Sequence, residues 1–316
     1  MKFLRRVAVF FLLLFLLAAL MDVIVSYGLR KTQDYRFQSW SDMLRGGMTH
    51  DVLILGNSRG FSHYDPQVID SVCGVDSYNI GIGGYPINVQ LLKWRLYKKN
   101  NTLPKIIIHN VDYGTLASMT IKSQHESEQV FNTVYDPMMR RELSQFGYNW
   151  FDLHVPMYRY FGYQTVIKYG FCEFFNLKHF RRPAYKGHYP EHGTWNPENL
   201  NKQTVIPCKM DREAMKLFED YMLECHQEGI KVILVNSPIY VGATKKYDKR
   251  KELDAYYASI AKRYGTVYLN YTNDTICNDT ANFCVAVHMN QAATKRWSAQ
   301  LSEDLLRMGY IKKIKE

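Results

Sequence analysis

The chain has 316 residues, and its 40 Lys and Arg against 30 Asp and Glu give a formal charge of +10 with His neutral. Apolar residues make up 47% and charged residues 22%; this is the balance of a chain that folds around a core, and it excludes wholesale disorder, a collagen-like repeat and a polytopic membrane protein. Part of the basic excess lies at the two ends, in Lys2, Arg5, Arg6, Arg30 and Lys31 and again in Lys312, Lys313 and Lys315. With no zinc-finger spacing, RNP-like aromatic motif or arginine stripe between them, nucleic acid is not an expected partner. An anionic phospholipid or acidic glycan surface fits the charge at least as well.

Residues 7–25, VAVFFLLLFLLAALMDVIV, are apolar at every position except Asp22. As a helix this stretch is long enough to cross the ~30 Å hydrocarbon layer, and Asp22 falls near its end, where a side chain can reach the interface. Lys2, Arg5 and Arg6 precede it, so the positive-inside rule keeps the N-terminus cytoplasmic and exports the chain beyond Tyr27. A cleaved signal peptide is the competing reading, but Leu20 and Met21 after Ala18 and Ala19 make a poor cleavage site. The expected organisation is an uncleaved anchor over residues 1–30, a connector over 31–50 and a domain over 51–316. The six cysteines show neither C-x-x-C nor His-interleaved metal spacing. Cys277 and Cys284 are the nearest pair, and oxidation in an exported domain and buried free thiols are equal alternatives. Asn100, Asn270, Asn273 and Asn278 lie in N-x-[ST] sequons, which matter only in a eukaryotic secretory pathway.

Beyond the connector, residues 51–56 (DVLILG) read as a buried parallel strand, apolar on both faces. A tight polar loop, Asn57-Ser58-Arg59-Gly60, comes next, then a short helix opened by Asp65-Pro66 and running to Cys73. Residues 77–80 predict a strand, 81–84 a glycine loop, 87–99 a helix and 105–109 a strand. The alternation resumes with helix 211–228, strand 232–235, helix 247–264, strand 267–270 and helix 291–308. Strand and helix in turn predict a mainly parallel sheet with helices on both faces, whose reactive residues gather at the carboxyl ends of the strands. Residues 115–207 break the pattern. Their aromatics (Tyr158, Tyr160, Tyr163, Phe171, Phe174, Phe175, Trp195) and bases (Lys178, Arg181, Arg182, Lys186) suit either a sugar-binding groove or a packed accessory layer.

Ser58, directly after the first strand, stands where a nucleophile would be, although serines there also serve as turn residues or caps. Its hydroxyl needs a base, and His288, in the loop before the last helix, is the best placed of the ten histidines. A structural histidine near the helix cap is the alternative. Gly83 and Gly84 can bring a backbone N–H close to a reacting carbonyl, and Asn110-Val-Asp112 offers an amide as a second donor, which together would make an oxyanion hole. The P-loop and G-x-G-x-x-G spacings are absent, and no cofactor or metal is expected.

The blocks Leu53-Ile-Leu-Gly-Asn-Ser58-Arg, Tyr78-Asn-Ile-Gly-Ile-Gly-Gly84, Ile107-Ile-His-Asn110-Val-Asp112 and His288-Met-Asn290 resemble those of the SGNH/GDSL hydrolase superfamily, especially membrane-anchored, uncharacterised SGNH-like proteins of Bacteroides-type bacteria. The resemblance covers the core from about residue 51 to 104 and the last third, including Val235-Asn-Ser-Pro-Ile-Tyr240. It implies a flavodoxin-like three-layer α/β sandwich, Ser58 as nucleophile, His288 as base, the Ser58 and Gly84 N–H groups as oxyanion donors, and Asn110 or Asp112 as the third block's contribution. Where the family carries an Asp three residues before the His, this chain has Val285. Catalysis would then run on a Ser-His dyad, on a triad whose acid comes from elsewhere, such as Asp279 or Asp274, or not at all. The expected function is an anchored extracytoplasmic esterase or O-acyltransferase acting on acylated cell-surface glycan. The alternative is an inactive envelope protein that binds polysaccharide or a protein partner.

Overall fold

The computed structural model describes residues 1–117, 124–202 and 205–312. In chain order the helices are α1 (Lys2–Leu29), α2 (Gln38–Arg45), α3 (Ser58–His63), α4 (Pro66–Cys73), α5 (Ile87–Asn100), α6 (Pro137–Glu142), α7 (Trp150–His154), α8 (Gln164–Phe174), α9 (Arg212–Gln227), α10 (Val241–Thr244), α11 (Arg250–Arg263) and α12 (Gln291–Arg307). The strands are β1 (Val52–Gly56), β2 (Ser77–Asn79), β3 (Ile106–Asn110), β4 (Lys231–Asn236), β5 (Tyr268–Asn270), β6 (Phe283–Val285) and β7 (His288–Met289). The chain divides into two compact units: Met1–Gly46 with Ile121–Pro183, and Gly47–Thr120 with Ala184–Glu316. Residues 31–46 of the connector therefore belong with the insertion, whose own unit ends at Pro183 while residues 184–207 belong to the second unit.

The second unit is mixed α/β. Its five-stranded sheet is parallel throughout, in the order β2-β1-β3-β4-β5, so the winding reverses between β1 and β3, where such sheets form a crevice. Apolar runs on both faces of the central strands require cover on both sides. On one side Val52, Ile54, Ile108, Ile233 and Val235 pack with Trp297, Leu301 and Leu305 of α12 and Ile69 of α4. On the other, the His109 ring meets Phe218 and Tyr221 of α9 at 5.8 and 5.4 Å. His109 is wholly buried there, and burial pushes its pKa down to about 3. It is a neutral core residue whose Nε2 lies 3.3 Å from Gln90 Oε1.

Two local expectations change. Residues after β1 form a short helix instead of a plain loop, because the Asn57 side chain accepts the Arg59 N–H and caps α3. Residues 283–289 form a small antiparallel hairpin, β6 with β7, so His288 lies on a strand. All six cysteines are free thiols, Cys277 and Cys284 included, which leaves the free-thiol alternative in place.

In the first unit, α1 is long and apolar enough to cross a membrane. Asp22 does not reach outward from it. It is buried, accepting hydrogen bonds from Tyr135 Oη at 2.6 Å and the Met157 N–H at 2.8 Å and pairing with Arg159. Tyr158, Tyr160 and Tyr163 line a cavity of about 760 Å³ with Phe131 and Phe161. Of the other residues expected around a sugar groove, Arg181 pairs with Glu173 at 2.7 Å, and Phe171 packs on Phe175. Within the second unit, Lys186 bridges Asp70 and Asp76, and Trp195 packs on Tyr240.

Gly56 ends β1 at φ 143°, and a Cβ there would lie 2.9 Å from the Asn110 side chain and carbonyl oxygen. Both backbone and packing therefore require glycine where the chain turns from β1 to Ser58. Gly56→Ala is expected to destabilise the protein by at least ~1–3 kcal/mol, read as a lowered midpoint of thermal unfolding in detergent or nanodiscs.

Candidate active site

The carboxyl end of β1 presents Ser58 at the first position of α3, and its Oγ lies 2.9 Å from His288 Nε2, a hydrogen bond between residues 230 apart in the chain. Several bonds hold the histidine from behind. The Met289 N–H donates to His63 Nε2 at 3.0 Å, and the Tyr240 N–H donates to the Ala286 carbonyl at 3.0 Å. Asn290 accepts the Ala293 N–H and caps α12. Because His63 Nε2 accepts, its Nδ1 carries the proton and donates to Ser237 Oγ at 2.9 Å. Burial, then the charges of His288, Arg59 and His188, push the His63 pKa well below its ordinary value. This second Ser–His pair is a fixed neutral strut under the first.

The glycine turn reaches Ser58 because β2 continues alongside β1 past its formal end: the Ile80 N–H donates to the Ile54 carbonyl and the Ile82 N–H to the Gly56 carbonyl. Asn79 fixes the turn, donating to the Gly60, Phe61 and Tyr64 carbonyls and accepting the Gly81 N–H. Gly83 then faces Ser58, with a Cβ at that position 4.0 Å from the Ser58 Cβ. Gly84, the residue expected to donate, comes next in a left-handed conformation, φ 77°. The N–H groups of Ser58, Gly83 and Gly84 have no acceptor among the described residues.

The two side chains considered as further oxyanion donors serve other ends. Asn110 is wholly buried, accepting from Tyr64 Oη at 2.8 Å and donating to Asn57 Oδ1 at 3.5 Å. Asp112 is an ionised acceptor and has no proton to give. Burial works against its charge, but the Arg59 guanidinium and then donors from Asn57, Gly114 and Thr115 hold its pKa below the ordinary carboxylate value. Arg59, itself buried, also donates to the Ser237 carbonyl at 2.8 Å and to Asn236 Oδ1 at 3.0 Å. It thus ties the loops after β1, β3 and β4 together.

Neither acid proposed from the sequence approaches His288 as an orienting partner. Asp274 caps Ile276 and accepts from Gln300 Nε2, and Asp279 caps Ala281. Both carboxylates are used where Asx residues serve best, at the starts of short helical turns. Glu191 occupies the place instead, its Oε1 4.0 Å from His288 Nδ1. That is beyond direct hydrogen-bond reach and within reach of a bridging water. Glu191 comes from the segment that re-enters the second unit after residue 183, where its carbonyl accepts the Gln291 N–H at the start of α12. Burial raises the Glu191 pKa, opposed by His192. Nothing in the sequence marked it, since it lies 97 residues before His288 and outside every matching block. Val285 sits across the hairpin from His288 and is partly exposed.

Burial, reinforced by the positive charge of Arg59 and opposed by Asp112, pushes the His288 pKa down to about 4. The imidazole is therefore neutral at pH 7 and able to accept a proton. Cys284 lies close by, its Sγ 3.4 Å from the His288 carbonyl, and burial pushes its thiol up to about 11, so it stays protonated. Among the described residues, no three His, Cys, Asp or Glu side chains converge as a metal site. No protein-family model matches the chain, and no curated protein matches its sequence.

This geometry sets the expected behaviour of two variants. Arg59→Met leaves the Asp112 carboxylate buried without its counter-charge, and a loss of ~3–5 kcal/mol is expected, measured by chemical unfolding. Glu191→Gln is expected to slow reaction of Ser58 with a serine-directed probe, by less than the ~10⁴-fold loss associated with a directly bonded triad carboxylate. Asp274→Asn and Asp279→Asn leave that rate unchanged.

Proposed function

We propose that this chain is a membrane-anchored, extracytoplasmic serine esterase or O-acyltransferase of the SGNH type, acting on acyl groups of cell-surface glycan. The observation that carries the reading is the 2.9 Å contact between Ser58 Oγ and His288 Nε2, beside a glycine turn with available N–H groups at the switch point of a parallel sheet. Ser58 attacks the acyl carbonyl as its proton passes to His288 Nε2. The Ser58 and Gly83 or Gly84 N–H groups receive the oxyanion. Collapse breaks the ester bond, the departing alcohol takes the proton from His288, and an acyl-Ser58 remains. Water then attacks to give the acid, or a sugar hydroxyl attacks to give a new ester, with His288 again moving the proton. Glu191 stabilises the transient imidazolium from the Nδ1 side. The basic N-terminus ahead of α1 supports a cytoplasmic start and an exported second unit.

The 4.0 Å gap between Glu191 and His288 favours a second reading, a fold retained for binding polysaccharide or a protein partner without turnover. A fluorophosphonate probe separates the two. Labelling of the wild type and its loss in Ser58→Ala support the enzyme, whereas a folded wild type that takes no label supports the binder. The pH dependence is a further mark: the base works only when neutral, so the labelling rate is expected to fall through an acid limb centred near the His288 pKa of about 4, not near the ordinary histidine value of about 6.5.

A further inference from the structure

We propose that the first unit carries a second membrane contact, an aromatic surface of Trp150, Phe151, Tyr158 and Phe161 seated in the headgroup region of the bilayer. This rests on the reading of α1 as a membrane span. Past Arg5 and Arg6, the large apolar side chains of α1 are open to their surroundings from Val9 to Leu20, and the rise from Val7 to Leu20 is about 20 Å against a hydrocarbon thickness of ~30 Å. From Asp22 one face of α1 is covered by its own unit, burying Asp22, Val25, Ser26 and Leu29, while Val23 and Tyr27 stay exposed. The Asp22 carboxylate accepts from Tyr135 Oη and the Met157 N–H and pairs with Arg159. Those three residues are therefore fixed at the level on α1 where the hydrocarbon ends.

Tyr158 is the next residue after Met157, and its ring packs on Phe151 at 5.6 Å, which in turn meets Trp150 at 5.4 Å. Trp150 is 62% exposed and Phe161 90%, exposures that leave large apolar rings in water unless something covers them. The covering partner consistent with their depth is lipid. Trp and Tyr favour the boundary between acyl chains and headgroups, where the ring is apolar on one side and its N–H or O–H wet on the other. A helix crossing the bilayer fixes one point of the protein, and this surface fixes a second, so that the first unit lies against the membrane.

Trp150 reports the contact directly, because it alone of the five tryptophans is exposed. The full chain in nanodiscs made with phosphatidylcholine brominated just below the headgroup is expected to lose the Trp150 emission. That quenching is expected to be absent in Trp150→Phe and to return when Phe161→Trp is added to it. Equal quenching in wild type and Trp150→Phe, with none at Phe161→Trp, overturns the proposal. Leu13→Trp in the Trp150→Phe background, with lipids brominated near the chain ends, tests the anchor. Quenching at Leu13→Trp without quenching at Trp150 overturns the surface alone, and no quenching at Leu13→Trp overturns both readings.

Discussion

A guanidinium almost without water around it, that of Arg59, joins the carboxyl ends of β1, β3 and β4. It pairs with Asp112 and donates to Asn236 and to the Ser237 carbonyl. Burying such a charge is costly unless every donor finds a partner and a counter-charge is close. Both conditions hold here, and they set the geometry of the neighbouring Ser58. Asn57 adds to the same network, capping α3 with its oxygen and donating to Asp112 from its nitrogen at 2.5 Å. Ser58 is thus bracketed by two residues whose side chains are engaged elsewhere, and its hydroxyl has one partner among the described residues, His288.

The cation also acts on that partner. Burial and then Arg59 lower the His288 pKa, while Asp112 partly offsets them, so the network around Ser58 also helps keep the His288 ring unprotonated. An imidazole with a lowered pKa forms its cation reluctantly, and a carboxylate on the far side of the ring would favour that cation. Glu191 can supply that charge at 4.0 Å, more weakly than a bonded Asp because it is partly solvated. His63 contributes without charge: bonded at both ring nitrogens, it fixes the β6–β7 hairpin relative to β4.

In the first unit, a second buried arginine solves a similar problem. Arg159 pairs with Asp22 and also donates to Ser26 Oγ at 2.7 Å. A carboxylate in an otherwise apolar helix would be expensive in hydrocarbon, and here Arg159 and Tyr135 enclose it within the first unit. Gly28 and Gly170 let α1 and α8 cross at backbone contact, since a Cβ at Gly28 would fall 1.7 Å from the Gly170 carbonyl oxygen.

The apolar runs at 52–55, 106–108 and 232–235 determined buried parallel strands by themselves, because a strand apolar on both faces has to be covered on both. The Asp65-Pro66 opening similarly determined where α4 begins, since a cap followed by proline in the first turn is a local requirement. Ser58 and His288 were legible as candidates for the same reason: each lies beside an element boundary that the pattern marks. Strand order and the identity of every through-space partner were decided only by the tertiary structure. Glu191 in the place of Asp274 or Asp279, and Asp112 as a counter-ion with nothing to donate, depend on distances between residues remote in the chain. Hydrophobic periodicity carries no information about such distances, because it records which way a side chain faces and not what it meets there.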